Sequence, residues 1–219
     1  MLEGKAERVR DMAETERQGT KQAGTVAVVV AAYNGEAFIA EALQSALAQV
    51  RPPKDVVVVD DGSTDRSGEI ARAVPGVRVI TQPNAGRTAA RNAGMAATRS
   101  DYIVFLDQDD RMLPDNLSIN AALLDADPGL GFAGGRSVPI AADGRRKGGM
   151  PASPEPPVPC TYETLLRGDA FVPPSVVLFR RSAIEAAGAW DPAMRFGAED
   201  LDVYLRIART WPVLRHDAV

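Results

Sequence analysis

Three stretches of this sequence run apolar without a break and carry mostly β-branched residues: 25–32 (Thr-Val-Ala-Val-Val-Val-Ala-Ala), 56–59 (Val-Val-Val-Val) and 103–106 (Ile-Val-Phe-Leu). They are too short for buried helices. Successive side chains of a strand point to opposite faces, so a strand apolar at every position must be covered on both sides. Such strands belong inside a parallel sheet with helices packed on each face. The segments between them agree. Phe38, Ile39, Leu43, Ala46 and Leu47 fall at helical spacing within 36–49, and Pro52-Pro53 ends that helix. Helices are likewise expected over 66–73 and 87–99, with a short strand over 77–81. Regular β-α alternation of this kind implies right-handed crossovers.

Each buried run ends in polar residues. Tyr33-Asn34-Gly35 follows the first, Asp60-Asp61-Gly62 the second and Asp107-Gln108-Asp109-Asp110 the third. In open α/β sheets, ligands gather beyond the carboxyl ends of the strands. Three carboxylates in four residues beside a core call for a counter-charge. A divalent cation, Mg²⁺ or Mn²⁺ held jointly with substrate phosphates, would supply it. A solvated acidic turn capping the next helix is the other reading, and spacing alone does not choose. Ser63, Thr64 and Asp65 each suit a helix cap, which leaves the adjacent pair Asp60 and Asp61 unexplained. Arg87 and Arg91 open their helix against its dipole, which points to an anionic partner or to solvated surface arginines.

Beyond Asp110 the pattern changes. A helix is expected over 114–126, strands over 130–134 and 136–140, and a turn at Asp143-Gly144. The prolines of 148–159 predict an irregular loop. A short helix over 161–167, a strand over 175–179, a helix over 181–187 stopped by Gly188, and a helix over 199–209 complete the reading. Acidic residues in the first turn of that last helix favour its dipole, and the same helix end is expected to keep Asp200 ionised at neutral pH. Residues 1–24 are dominated by charge and read as an extension outside the domain, which spans 25–219.

Composition excludes several classes. A net charge of -4 leaves no nucleic-acid footprint, and one histidine, His216, leaves no multi-histidine zinc site. The single Cys160 fits a reducing compartment. No apolar run approaches a membrane span, and the charged N-terminus is unlike a secretory signal. The expected location is cytoplasmic, compatible with peripheral contact at the inner face of the membrane.

Five blocks now stand in order: Val-Val-Val-Ala-Ala-Tyr-Asn-Gly at 28–35, Val-Val-Asp-Asp-Gly-Ser-Thr-Asp at 58–65, Ala-Arg-Asn-Ala-Gly at 90–94, Phe-Leu-Asp-Gln-Asp-Asp at 105–110 and Gly-Ala-Glu-Asp-Leu-Asp at 197–202. Together they closely resemble family-2 glycosyltransferases of the GT-A fold, over about residues 25 to 217. The resemblance implies a Rossmann-like, mostly parallel central sheet flanked by helices, with a small antiparallel part on the acceptor side. It implies an inverting transfer of a hexose from a nucleotide-diphosphate-sugar donor, with Mg²⁺ or Mn²⁺, to a sugar, lipid-linked or small-molecule acceptor, as in cell-surface polysaccharide biosynthesis. Ala32, Tyr33 and Asn34 would then border the nucleotide, with Tyr33 stacked on the base. Asp60 or Asp61 would accept from the base imide N–H, and Arg87 would reach the nucleotide. Asp107 and Asp109 match the Asp-X-Asp element: Asp109 would bind the metal, and Asp107 the ribose or the metal. Asp200 matches the general base, while Glu199 would position the acceptor or cap the helix.

Members of the family commonly continue into another strand and a loop carrying Arg or His. This sequence stops at Arg215-His216-Asp217-Ala218-Val219, so a C-terminally truncated piece is expected. A Gln-X-X-Arg-Trp block is absent, so nothing supports a processive polymer synthase. Two further readings stand beside the transferase. One is a sugar nucleotidyltransferase, whose usual Gly-rich basic loop Tyr33-Asn34-Gly35 does not supply. The other is a catalytically silent module that binds nucleotide-sugar.

Overall fold

The structure, a computed structural model, describes residues 23–141, 144, 145, 147, 158–167, 173–194 and 197–216. The apolar runs form its central strands β1 (Val26–Ala32), β2 (Asp55–Asp60) and β4 (Tyr102–Asp107), with β3 (Val77–Thr81) at one edge. β5 (Phe132–Gly134), β6 (Val158–Cys160), β7 (Val177–Arg180) and β8 (Val213–Arg215) complete an eight-stranded sheet of order β3-β2-β1-β4-β7-β5-β8-β6. β1 pairs in parallel with both β2 and β4, and β2 with β3. β7 runs antiparallel to β4 and to β5, and β6 antiparallel to β8. This is the expected mostly parallel sheet with a smaller antiparallel part.

The helices are α1 (Ile39–Leu47), α2 (Ser67–Ala73), α3 (Arg87–Ala96), α4 (Asn116–Ala126), α5 (Tyr162–Leu166), α6 (Arg181–Ala186) and α7 (Glu199–Ala208). Strand alternation divides the core into two faces. Val28, Val30, Val104 and Leu106 pack with Ile39 and Leu43 of α1 and Leu117 and Leu124 of α4. Val29, Ile103 and Phe105 face the other way, toward Trp190 and toward Val203, Tyr204 and Ile207 of α7. Phe105 meets Trp190 edge-on, with ring centroids 5.0 Å apart at 84°, the geometry that aromatic quadrupoles favour. Truncating a ring this buried typically costs about 3–5 kcal/mol. On that second face α3 lies close on β1, and a β-carbon on Gly94 would collide with Val29. The glycine of the 90–94 block is therefore a packing requirement.

Several expectations are corrected. The strand expected over 136–140 does not form: Pro139 has no N–H to donate, and the chain leaves the sheet once Gly135 N–H has bonded to Val176 O at 3.2 Å. A strand forms instead at β6, where Pro159 is tolerated because β6 lies at the sheet edge. The chain around Ser175 makes a single 3-10 turn, Pro174–Val176, before β7 begins. Of the expected extension 1–24, residues 1–22 lie outside the described residues, as do 148–157 of the proline-rich loop and Asp143 of the expected turn. No helix among the described residues is long and apolar enough to cross a membrane.

Candidate active site

Strand order reverses between β1 and β4, because β2 lies on the other side of β1. A crevice opens beyond the carboxyl ends of these strands, the place open α/β sheets reserve for ligands. The cleft measures about 480 Å³; Ala32, Tyr33, Asp61, Arg87, Asp107 and Asp109 are among its lining residues. Five of these residues come from three of the sequence blocks, and Arg87 stands just before a fourth. Ala31 stands opposite Asp107 in the β1–β4 register, which brings the first and fourth blocks together.

The Tyr33 end of the cleft is held by a network of short polar contacts. Tyr33 is 47% exposed, so its ring is free to stack. Its backbone is clamped at both polar atoms by the Gln108 amide, N–H to Oε1 and Nε2 to O, each at 2.9 Å. Asn34 is not among the residues lining the cleft. It sits at φ 51° and accepts from Thr64 N–H at 2.8 Å while its own N–H donates to Ser63 Oγ. Ser63 and Thr64 thus tie the first loop to the second instead of capping α2; Asp65 Oδ1 accepts from Ser67 N–H at 2.9 Å. The adjacent acids divide. Asp60 is buried toward α2 and accepts from Ser63 N–H at 3.0 Å. Asp61 lines the cleft and holds the loop before α3, accepting from the N–H groups of Ala85 (2.9 Å) and Gly86 (2.8 Å) and from Gln82 Nε2 (2.7 Å).

At the other end, Asp109 is exposed, lines the cleft, and has no hydrogen-bond or ion-pair partner among the described residues. Asp110 accepts from Ser175 Oγ at 2.6 Å, and the same hydroxyl accepts from Asp107 N–H at 3.1 Å. Burial pushes the Asp110 carboxyl up, with the Ser175 hydrogen bond opposing it and Asp107 and Asp109 adding to it. No group of three His, Cys, Asp or Glu side chains that could hold a metal exists among the described residues. One or two carboxylates plus substrate phosphates is the usual donor set for Mg²⁺, and the unpartnered Asp109 beside Asp107 fits it.

Between these ends lies a buried ion cluster. Arg91 is 1% exposed, with its guanidinium 4.3 Å over the Trp190 ring. It bonds Asp107 Oδ1 at 2.8 Å and Asp200 Oδ1 at 3.0 Å, and stands 3.6 Å from Glu199. Arg87 adds a 3.1 Å contact to Glu199. Both arginines thus have carboxylate partners within this chain, while Arg87 also lines the cleft. Glu199 is 3% exposed and serves both arginines as a counter-ion, while the cap residue of α7, Ala198, makes no side-chain bond. For Asp200 the expected charge at neutral pH stands, but the carboxyl is higher than a helix end alone would leave it. Burial outweighs the helix end, and with Glu199 and Asp107 nearby it raises the carboxyl to about 6 despite Arg91. Asp200 is thus ionised at neutral pH and protonates just below it. Sequence reasoning saw Arg91 without its partners, and it missed Trp190, Gln108 and Ser175.

The architecture is that of a GT-A glycosyltransferase. The profile of Glycosyl transferase family 2 matches residues 27–188, and the chain belongs to that family. Over 89 residues it is 44% identical to EpsJ of Bacillus subtilis (strain 168), an uncharacterized glycosyltransferase, covering 39% of this chain and 26% of EpsJ. Over 95 residues it is 45% identical to the succinoglycan biosynthesis protein ExoO of Rhizobium meliloti (strain 1021), covering 42% of this chain and 27% of ExoO. Among solved structures, S. aureus TarS 1-349 in complex with UDP-GlcNAc superposes with a TM-score of 0.69 at 21% identity, over 89% of this chain and 58% of that one. The aligned stretches thus span about a quarter of the curated relatives and under two thirds of TarS 1-349.

Proposed function

We propose that this chain transfers a hexosyl unit from a nucleotide-diphosphate-sugar to an acceptor hydroxyl with inversion, and that Asp200 is the general base. The observation that carries this reading is the buried bridge Asp107–Arg91–Asp200, at 2.8 and 3.0 Å, which ties the Asp-X-Asp element to a carboxyl raised to about 6. A base poised near the working pH is both ionised and able to take a proton.

In this reading residues 25–219 form one transferase domain, with 1–24 outside it. Tyr33 stacks on the base, Asp61 faces it, and Arg87 reaches the nucleotide. Asp109, with Asp107, holds Mg²⁺ or Mn²⁺; when bound, the cation offsets the negative charge that grows on the leaving diphosphate. Asp200 takes the acceptor hydroxyl proton as that oxygen bonds to the anomeric carbon. The bond from that carbon to the diphosphate breaks on the opposite face, and the diphosphate keeps the electron pair. TarS was solved with UDP-GlcNAc and ExoO serves succinoglycan biosynthesis, which makes UDP-sugars the first donors to try and a cell-surface polysaccharide the first product class. A lipid-linked acceptor would be met at the inner face of the membrane.

Calorimetry with UDP and GDP, with and without Mn²⁺, followed by donor-turnover assays, tests the reading. Asp200→Asn should bind nucleotide like the unmodified chain and lose transfer by roughly 10²-fold or more. Nucleotide binding without turnover in the unmodified chain would mark a silent module. Pyrophosphate release from a nucleoside triphosphate would mark a nucleotidyltransferase.

A further inference from the structure

Two loops meet at the Tyr33 end of the cleft. One follows β1 and carries Tyr33, Asn34 and Gly35; the other starts from the last residue of β4 and carries Asp107, Gln108 and Asp109. Each is held from behind by a different part of the chain. Asn34 N–H donates to Ser63 Oγ at 3.2 Å, Gly35 N–H to Ser67 Oγ at 2.7 Å and Glu36 N–H to Asp65 Oδ2 at 3.0 Å, so the first loop is fastened to the segment between β2 and α2. The second is closed by Asp110 N–H on Asp107 O at 3.0 Å and fastened through Asp107 and Asp110 to Ser175. None of these bonds runs from one loop to the other.

The Gln108 amide does. It takes both polar atoms of Tyr33, N–H on Oε1 and O on Nε2, as a neighbouring strand would. Among the described residues these are the only side-chain hydrogen bonds that join 33–36 to 107–110. Gly35 makes room for them. A β-carbon there would stand 2.3 Å from Cδ and Oε1 of Gln108, and the nearest atoms it would meet all belong to that amide. Gly35 is not among the glycines with positive φ, so the Gln108 side chain, not backbone conformation, is what excludes a larger residue.

The joined loops carry the two ends of one ligand in the transferase reading. Tyr33 serves the base, and Asp107 and Asp109 serve the cation and, through it, the diphosphate. A ligand that spans two sites gains from the second contact only as far as the span between them is fixed, because stiffness sets the effective concentration of that contact. Ligands that touch one end alone gain nothing from the link.

We propose that Gln108 is a positioning residue that fixes the span between Tyr33 and the pair Asp107 and Asp109, so that a nucleoside diphosphate engages both ends at once. What binds at each end rests on the transferase reading above; the clamp itself does not.

Calorimetry on the full chain tests this with three probes: uridine for the base end, pyrophosphate with Mn²⁺ for the metal end, and UDP with Mn²⁺ for both. The same series with guanosine and GDP covers a purine donor. Gln108→Met keeps the length of the side chain and loses both hydrogen bonds. It should weaken UDP with Mn²⁺ by about tenfold and leave uridine, and pyrophosphate with Mn²⁺, within about twofold. Gly35→Ala, the second variant, displaces the amide from the other side and should show the same pattern. In a Gln108→Ala background the added methyl finds room, so Gly35→Ala should weaken UDP no further. A merely structural role for Gln108 predicts a parallel loss for all three probes. That parallel loss, an unchanged affinity for UDP with Mn²⁺ in Gln108→Met, or a further loss from Gly35→Ala in the Gln108→Ala background overturns the proposal. Mn²⁺-dependent UDP binding in the unmodified chain with no change in the variants sinks the role of Gln108 alone. An unmodified chain that binds neither nucleotide would sink the transferase reading and the proposal with it.

Discussion

Asp109 and Asp200 carry the same side chain around one cleft, and the fold gives them opposite surroundings. Asp109 stands exposed past the end of β4 with no partner among the described residues. The Asp200 side chain is 17% exposed, bonded to a buried guanidinium, and raised to about 6. An exposed, unpaired carboxylate is available to a cation. A desolvated one near a fixed positive charge is held close to the point where it exchanges a proton. Asp107 stands between the two, bonded to Arg91 from within and reaching the cleft from without. Burial keeps the two environments distinct and Arg91 links Asp107 to Asp200, so the sharpest ways to break the contrast act on Arg91 or on either end.

The largest effect should come from Arg91→Met. It removes the one guanidinium that Asp107, Glu199 and Asp200 share, leaving Asp200 without its ion-pair partner and Glu199 with Arg87 alone. Losing one side of such a cluster costs about 3–5 kcal/mol, read as a lower midpoint in urea unfolding. An unchanged midpoint would show that the cluster is not structural. Asp109→Ala should act at the other end only. Stability should hold, and the affinity for UDP should become the same with and without Mn²⁺ in calorimetry, because the hard ligand is gone. Persistent Mn²⁺ dependence would remove Asp109 from the metal role. Tyr33→Ala should be milder, weakening UDP by roughly 1–2 kcal/mol through lost stacking on the base. It should leave the pH behaviour of transfer untouched, since Tyr33 touches neither carboxylate.

The strands and the five blocks were legible because they are local. An unbroken run of Val, Ile and Ala reports a doubly covered strand wherever it occurs, and a strand end reports where a ligand goes. What was not legible depends on contacts far apart in the chain. Arg91 and Asp200 are separated by 109 positions, so two arginines at a helix start could not be matched to their carboxylates. Asp60 and Asp61 are neighbours in sequence, yet side chains of an extended chain alternate sides, and only the second lines the cleft. The state of Asp200 was read from its helix end, a local effect, while burial by the surrounding core decides it. The Gln108 clamp carries no signal in sequence, because its partner Tyr33 lies 75 positions away.

The central claim is that Asp200 is a base whose surroundings set its working range, and the pH dependence of kcat/KM for transfer tests it most directly. Only the ionised carboxylate accepts a proton, and below its pKa the ionised fraction falls about tenfold per pH unit. The rate should therefore rise with a slope of one up to about pH 6 and level off above it, following the raised carboxyl of Asp200. That limb should vanish from the residual activity of Asp200→Asn. A profile flat down to pH 5, or a limb that survives in Asp200→Asn, would contradict the account.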